Sequence, residues 1–174
     1  HQMWVAQYYQ FKNPRNQITS GGLGTMGFGF PAAIGAKLGR PNDRVLAICG
    51  DGSFQMNMQE FSTAVKNDLD LKIILINNGH HGMVRQWQTL FFDKNYSCCK
   101  FDLNPDYVKL AESYGIKAIY CDSYQDLPDM VGYFLEYSGP IVADFRVEKD
   151  RCLPLVAPGK GLDEMILPET QTIT

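Results

Sequence analysis

Apolar and polar positions fall along this chain in blocks whose lengths separate strands from helices. Val45 to Cys49 is a continuous apolar run closed by Gly50-Asp51-Gly52, the pattern of a strand buried on both faces that enters a turn. Leu71 to Ile76 reads as a second buried strand, ended by Asn77-Asn78-Gly79. Between them, Asn57 with Glu60 three residues on predicts a capping-box start, and Phe61, Ala64 and Val65 follow at helical spacing. Asn104-Pro105 predicts the cap and first turn of another helix, with Val108, Ala111 and Tyr114 on one face and Gly115 to stop it. Lys117 to Tyr120 fits a short strand. Ser123 with Asp126 predicts the start of a helix carrying Leu127, Met130, Val131, Phe134 and Leu135. Gly139-Pro140 breaks that helix, and Ile141 to Val147 forms the last strand.

From Pro154 on, three prolines and two glycines come in irregular order, which predicts an extended arm. Strand and helix alternation predicts an α/β fold: a doubly wound, mostly parallel sheet with helices on both faces. The expected domain covers residues 1–153, with 154–174 as an arm of the same domain.

Composition narrows the function classes. With 174 residues, 45% hydrophobic and 20% charged, the chain can bury one sizeable core, which excludes intrinsic disorder. A net charge of -3 leaves no basic footprint for nucleic acid. The apolar stretches are strand-sized, far short of a membrane span. Five cysteines, at 49, 98, 99, 121 and 152, form no CxxC pair, so free thiols are expected. The chain opens with His1 and has no signal-like segment, which predicts a piece of something longer in a reducing compartment, cytoplasmic in a bacterium or organellar in a eukaryote.

Candidate chemistry sits at two strand ends, where ligands bind in open parallel sheets. Gly50-Asp51-Gly52-Ser53 follows the first strand and Asn77-Asn78 the next, with 24 residues between Gly52 and Asn77. Neighbouring strand ends lie a few ångströms apart, so the Asp51 carboxylate and the Asn78 amide oxygen can converge. A hard divalent cation takes such ligands and completes its shell with water and phosphate oxygens. Gly52 permits a close phosphate approach and Ser53 offers a hydroxyl. Each motif alone is an ordinary turn. Together, at this spacing, they should arise by chance in about one chain in a few thousand.

Gly22-Leu23-Gly24-Thr25-Met26-Gly27 also satisfies the dinucleotide fingerprint GxGxxG. Its lead-in, Pro14 to Ser20, holds only Ile18 as an apolar residue, and Phe28-Gly29-Phe30-Pro31 separates the glycines from the following helix. A dinucleotide site is therefore disfavoured.

The pair of motifs resembles the signature of thiamine-diphosphate enzymes. The segments Ile18 to Ala36, Gly82-Met-Val-Arg-Gln-Trp-Gln88, His1-Gln-Met-Trp4 and Pro154 to Met165 closely resemble the large, catalytic subunit of acetolactate synthases. The match spans nearly the whole chain and corresponds to the C-terminal, cofactor-binding domain. Plain catabolic acetolactate synthases and pyruvate oxidases are similar in the metal motif and less so around Arg85-Gln86-Trp87.

The resemblance implies that Asp51, Asn78 and the His80 carbonyl hold Mg2+, and that Gly52, Ser53 and His1 meet the diphosphate. It places Gly24 and Met26 at the aminopyrimidine, with the Met26 side chain propping the cofactor into its bent form. Gly82, Met83 and Val84 also meet the cofactor, and Met83, Val84 and Trp87 line the substrate channel, which in the family is the herbicide site as well. The residues alone favour ordinary core packing for Met26, Met83 and Trp87, and only the resemblance gives them these roles. His80-His81 is not read as a metal pair, Cys98-Cys99 receives no role, and Glu60 is not promoted to catalysis.

The implied reaction decarboxylates pyruvate and transfers the two-carbon unit to a second 2-oxo acid, pyruvate or 2-oxobutyrate, with the cofactor supplying the carbanion chemistry. The activating glutamate is expected in a domain outside this chain, on a partner subunit of a homodimer or tetramer, and FAD in another. A small regulatory subunit is a further candidate partner. A fragment without its neighbouring domains is expected to fold without turning over substrate, with Met83 to Phe92 as loosely held loop. Another thiamine-diphosphate enzyme, or a non-catalytic cofactor-binding fragment, is the alternative.

Overall fold

The computed structural model describes residues 1–149 and 153–167. In chain order it contains α1 (Gln2–Tyr8), α2 (Gly29–Gly39), β1 (Val45–Gly50), α3 (Asp51–Gln55), α4 (Phe61–Lys66), β2 (Leu71–Asn77) and α5 (Gly82–Phe91). There follow α6 (Tyr107–Ser113), β3 (Lys117–Cys121), α7 (Leu127–Glu136), β4 (Ile141–Arg146), β5 (Leu155–Val156) and β6 (Met165–Ile166). Strands β1 to β4 form one sheet in the order β1-β2-β4-β3, every neighbouring pair parallel. The expected α/β architecture and all four of its strands are present, and residues 14–20 form no strand.

The apolar runs become strands because the sheet is covered on both sides. On one face Phe30, Ala33 and Ile34 of α2, Phe61 and Ala64 of α4, and Tyr107 and Ala111 of α6 pack on Ala47, Cys49, Leu71, Ile73, Leu75, Ala118 and Val142. The other face joins Phe134 of α7 to Ile141, Ala143, Phe145 and Cys121. Leu71, Ile73 and Leu75 of the central β2 are fully buried, and each such side chain contributes about 1.5–3 kcal/mol. Phe30, Phe54 and Phe61 form a triangle with ring centroids 5.2 to 5.3 Å apart, and Phe54 also meets Tyr107 edge-on at 6.0 Å. Because Phe54 lies in α3, this aromatic cluster anchors the turn that carries Asp51, Gly52 and Ser53.

Four local expectations are corrected. Asn57 does not cap its own helix: its amide donates to the Gly27 carbonyl at 2.7 Å, the segment after it is a 3-10 turn over Met58–Glu60, and α4 starts at Phe61. Asn104 does not cap either. Asp106 caps α6 by accepting from the Lys109 amide at 3.0 Å, which releases Asn104 for contacts described below. Met83 to Phe92 is not a loose loop but almost entirely helix α5, pinned where the buried Gln86 donates to the Leu153 carbonyl at 2.8 Å. The arm is not simply extended, since β5 and β6 pair antiparallel within it. Its residues 168–174 lie outside the described ones, as does Cys152.

Asp126 stands at the start of α7 without a side-chain cap bond, while Ser123 bonds Gln125 instead. Cys49, Cys98, Cys99 and Cys121 are free thiols as expected, and burial pushes Cys49 up to about 12. Among the described residues no helix is long and apolar enough to cross a membrane.

Candidate cofactor and metal site

The parallel register sets Gly50 beside Ile76, so the chain leaves β1 and β2 side by side at the carboxyl edge of the sheet. Asp51 is the first residue past β1 and only 2% exposed. Its Oδ2 accepts from the Gly79 amide at 2.8 Å and from the Asn104 side chain at 3.1 Å. The first of these bonds ties the two sequence motifs together. Burial pushes the Asp51 carboxyl above its ordinary value, opposed by the hydrogen bonds from the Gly79 and Gly52 amides and from Asn104.

The loop after β2 presents oxygens toward the same edge. Asn78 Oδ1 accepts from the His80 amide at 3.0 Å, and the His80 ring closes back on the Asn78 carbonyl at 2.8 Å. An antiparallel bridge joins His80 to Lys100. Its hydrogen bonds run from the His81 amide to the Cys99 carbonyl and from the Phe101 amide to the Gly79 carbonyl, so the His80 carbonyl takes no part in them. Gly79 carries the turn at φ +67. A carboxylate, an amide oxygen and a main-chain carbonyl are thus gathered on adjacent loops, a donor set that suits a hard divalent cation. Among the described residues no group of three or more His, Cys, Asp or Glu side chains is placed to share a metal. His81 packs edge-on against Phe101, with ring centroids 4.5 Å apart, while the His80 ring is engaged with Asn78.

Ser53 connects this edge to the glycine-rich segment, because its Oγ accepts from the Gly27 amide at 2.9 Å. Gly27, at φ +82, has no room for a side chain: a Cβ there would lie 2.7 Å from Asn57 Nδ2 and 3.0 Å from Met56 Cβ. Gly24 turns at φ +63 and donates to the Ser20 carbonyl at 2.9 Å. A groove of about 810 Å³ is lined by His1, Gly24, Met26 and Ser53 among others. The His1 ring stands against Gly50, its Nδ1 3.0 Å from where a Cβ would be. At Gly52 the position of a Cβ is taken by Phe101, whose Cζ would be 2.6 Å away, so the protein's own aromatic ring already requires this glycine.

Met83, Val84 and Trp87 lie on α5 and are all exposed, with Trp87 edge-on to Phe91 at 5.3 Å. Gly82 opens α5, and a Cβ on it would sit 3.1 Å from Asn78 Nδ2. The structure therefore joins Asp51 to the Asn78–His80 loop, and His1, Gly24, Met26 and Ser53 around the groove. Met83, Val84 and Trp87 stand on a separate helix face. Glu60 accepts from Thr63 at 2.6 Å, an ordinary structural contact.

Sequence reasoning missed a buried network behind Asp51. Asn77 donates to both oxygens of Asp144, at 2.9 and 3.2 Å, and its Oδ1 accepts from Arg146 at 2.7 Å and from Asn104 at 2.9 Å. Tyr107 shares its hydroxyl between the Asp51 carbonyl at 3.2 Å and Asn104 Oδ1 at 2.9 Å. Burial pushes Asp144 up, against the Asn77 hydrogen bond and the Arg146 charge, and burial together with the Asp51 charge pushes the Tyr107 phenol up. One signal was available: Asp144 interrupts the apolar run from Ile141 to Phe145, and a charge in a buried strand needs partners.

Residues 1–145 match the family model for the thiamine pyrophosphate enzyme C-terminal TPP binding domain. The chain is 48% identical over 168 residues to the acetolactate synthase large subunit of Pyropia yezoensis, covering 95% of this chain and 28% of that protein. It is 46% identical over 167 residues to the mitochondrial acetolactate synthase catalytic subunit of Saccharomyces cerevisiae, covering 95% of this chain and 24% of that protein. It is likewise 46% identical over 166 residues to the acetolactate synthase large subunit of Lactococcus lactis, covering 95% of this chain and 29% of that protein. The chain thus spans about a quarter to three tenths of the length of these relatives.

Proposed function

We propose, from the fact that this chain belongs to the thiamine pyrophosphate enzymes through their C-terminal TPP-binding domain, that it is the cofactor-binding part of an acetolactate synthase. The observation that carries this reading is the Gly79–Asp51 bond of 2.8 Å, which brings the acid of the first motif onto the loop of the second. Identities of 46 to 48% over most of the chain support the narrower family.

In this reading Asp51, the Asn78 side chain and the His80 carbonyl hold Mg2+, and Gly52, Ser53 and His1 bind the diphosphate. Gly24 and Met26, which line the groove, would hold the aminopyrimidine end of the cofactor. Gly82, Met83 and Val84 close over it, and Met83, Val84 and Trp87 form an apolar wall that screens the reacting centre from water. When bound, thiamine diphosphate supplies the carbanion chemistry that decarboxylates pyruvate and passes the two-carbon unit to a second pyruvate or to 2-oxobutyrate. FAD and the glutamate that activates the pyrimidine belong to domains outside residues 1–174, the glutamate on a partner subunit of the homodimer or tetramer. This chain alone is then a folded cofactor platform that does not turn over pyruvate, with 154–174 as an arm of the same domain.

The test replaces Asp51, the lone carboxylate of the proposed set. In the complete enzyme, Asp51→Ala should abolish Mg2+-dependent retention of thiamine diphosphate while leaving the circular-dichroism spectrum unchanged. Retention at parental affinity would refute the assignment.

A further inference from the structure

We infer that Asn104 is a positioning residue of the cation site, holding Asp51 by its Oδ2 so that the carboxylate meets the cation in one fixed orientation. The inference rests on the reading of Asp51 as a metal ligand. It adds a residue that lies 53 positions further along the chain and outside both sequence motifs.

Every polar valence of the Asn104 amide is used. Its Nδ2 donates to Asp51 Oδ2 at 3.1 Å and to Asn77 Oδ1 at 2.9 Å. Its Oδ1 accepts from the Tyr107 hydroxyl at 2.9 Å and from Gln55 Nε2 at 3.2 Å. This fixes which end of the amide is nitrogen, because an ionised carboxylate only accepts. The Asn77 oxygen is fixed in turn, since Asn77 Nδ2 faces the Asp144 carboxylate. Asn104 therefore bridges the end of β1 to the end of β2, the two strands whose loops carry the proposed ligands. Gly79 and Asn104 both donate to Asp51 Oδ2, so that oxygen is held from the loop after β2 and from the segment before α6 at once. Groups that orient a metal ligand in this manner usually change metal affinity by roughly 10- to 100-fold when removed.

The experiment measures the Mg2+ concentration that half-saturates thiamine diphosphate binding in the complete enzyme, read by thermal shift at fixed cofactor. Asn104→Ala removes both bridges. Asn104→Asp keeps the shape and the oxygen facing Tyr107 and Gln55, and turns a donor into a like charge beside Asp51. We expect the half-saturating Mg2+ to rise roughly 10-fold in the first and further in the second. Excess Mg2+ should restore the full parental shift in Asn104→Ala, as a purely structural lesion would not. Unchanged half-saturation in both variants would overturn the inference, and so would loss of the far-ultraviolet spectrum in both cation-free variants. Asp51→Asn in the same assay separates the two levels. If it binds Mg2+ and cofactor normally, the metal reading itself falls and takes this inference with it; if it loses them while Asn104→Ala keeps the parental half-saturating Mg2+, the role of Asn104 alone is refuted.

Discussion

Strand β2 carries a buried polar knot at each end, and the two are built on opposite terms. At the amino end, Lys72 is buried and donates to Asp70, to the Tyr137 carbonyl at 2.7 Å and to the Gly139 carbonyl at 2.8 Å. An ammonium has three protons, and here three acceptors take them. At the carboxyl end, Asp51 and Asp144 are both buried, burial raises both carboxyls, and the Asp51 charge raises Asp144 further. Asn77, Asn104 and Arg146 offset that cost only in part. One knot ties the α7–β4 turn to the sheet and has no spare valence. The other keeps an anion where folding alone would prefer none, as expected of groups retained for binding rather than stability.

The comparison can be broken most easily at the amino end. Lys72→Met keeps the stem and strips the donors, leaving the Tyr137 and Gly139 carbonyls without them. Each unsatisfied buried group costs about 1–3 kcal/mol, so urea unfolding should show a loss of ~3 kcal/mol. A loss well below ~1 kcal/mol would mean that water replaces the ammonium and that the knot is not structural.

Asp51→Asn should act in the opposite direction on the cation-free protein. With the folded-state pKa raised above the ordinary 3.8, the folded form holds the proton more tightly than the unfolded form. This group's contribution to stability is therefore largest in acid and is lost as the pH rises through the folded value. The variant should melt higher than the parent at neutral pH, with the gap closing as the pH falls toward 3.8. Melting curves against pH, without Mg2+ or cofactor, check the sign. Asp144, raised by burial as well, contributes a slope of the same sense. A lower melting temperature for Asp51→Asn at neutral pH would erase the contrast between the two ends.

The smallest effect sharpens the picture rather than testing it outright. Tyr107→Phe leaves the ring in the aromatic cluster and removes only the hydroxyl shared by the Asp51 carbonyl and Asn104. Denaturant unfolding should lose about 1 kcal/mol. A larger loss would show that the network behind Asp51 carries more of the fold than its hydrogen bonds suggest.

The strands and the two motifs at their ends were legible in the order of residues. Val45 to Cys49 and Leu71 to Ile76 are apolar on both faces, and a run of that kind has few places to go except the centre of a covered parallel sheet. The break at Gly50-Asp51-Gly52 and at Asn77-Asn78 is equally local, since it depends on what those residues do at the end of a strand. The caps were not local. Asn57 and Asn104 both stand where a helix start was expected, and each has an amide that could have served it, but distant partners compete for that amide. Gly27 lies 30 positions before Asn57 and Asp51 lies 53 before Asn104, and both were brought near by the packing of the sheet edge. Gln86 likewise found the Leu153 carbonyl 67 residues away, which turned an expected loop into an anchored helix. Short polar side chains choose among acceptors by distance in space, and the tertiary structure alone decided those distances.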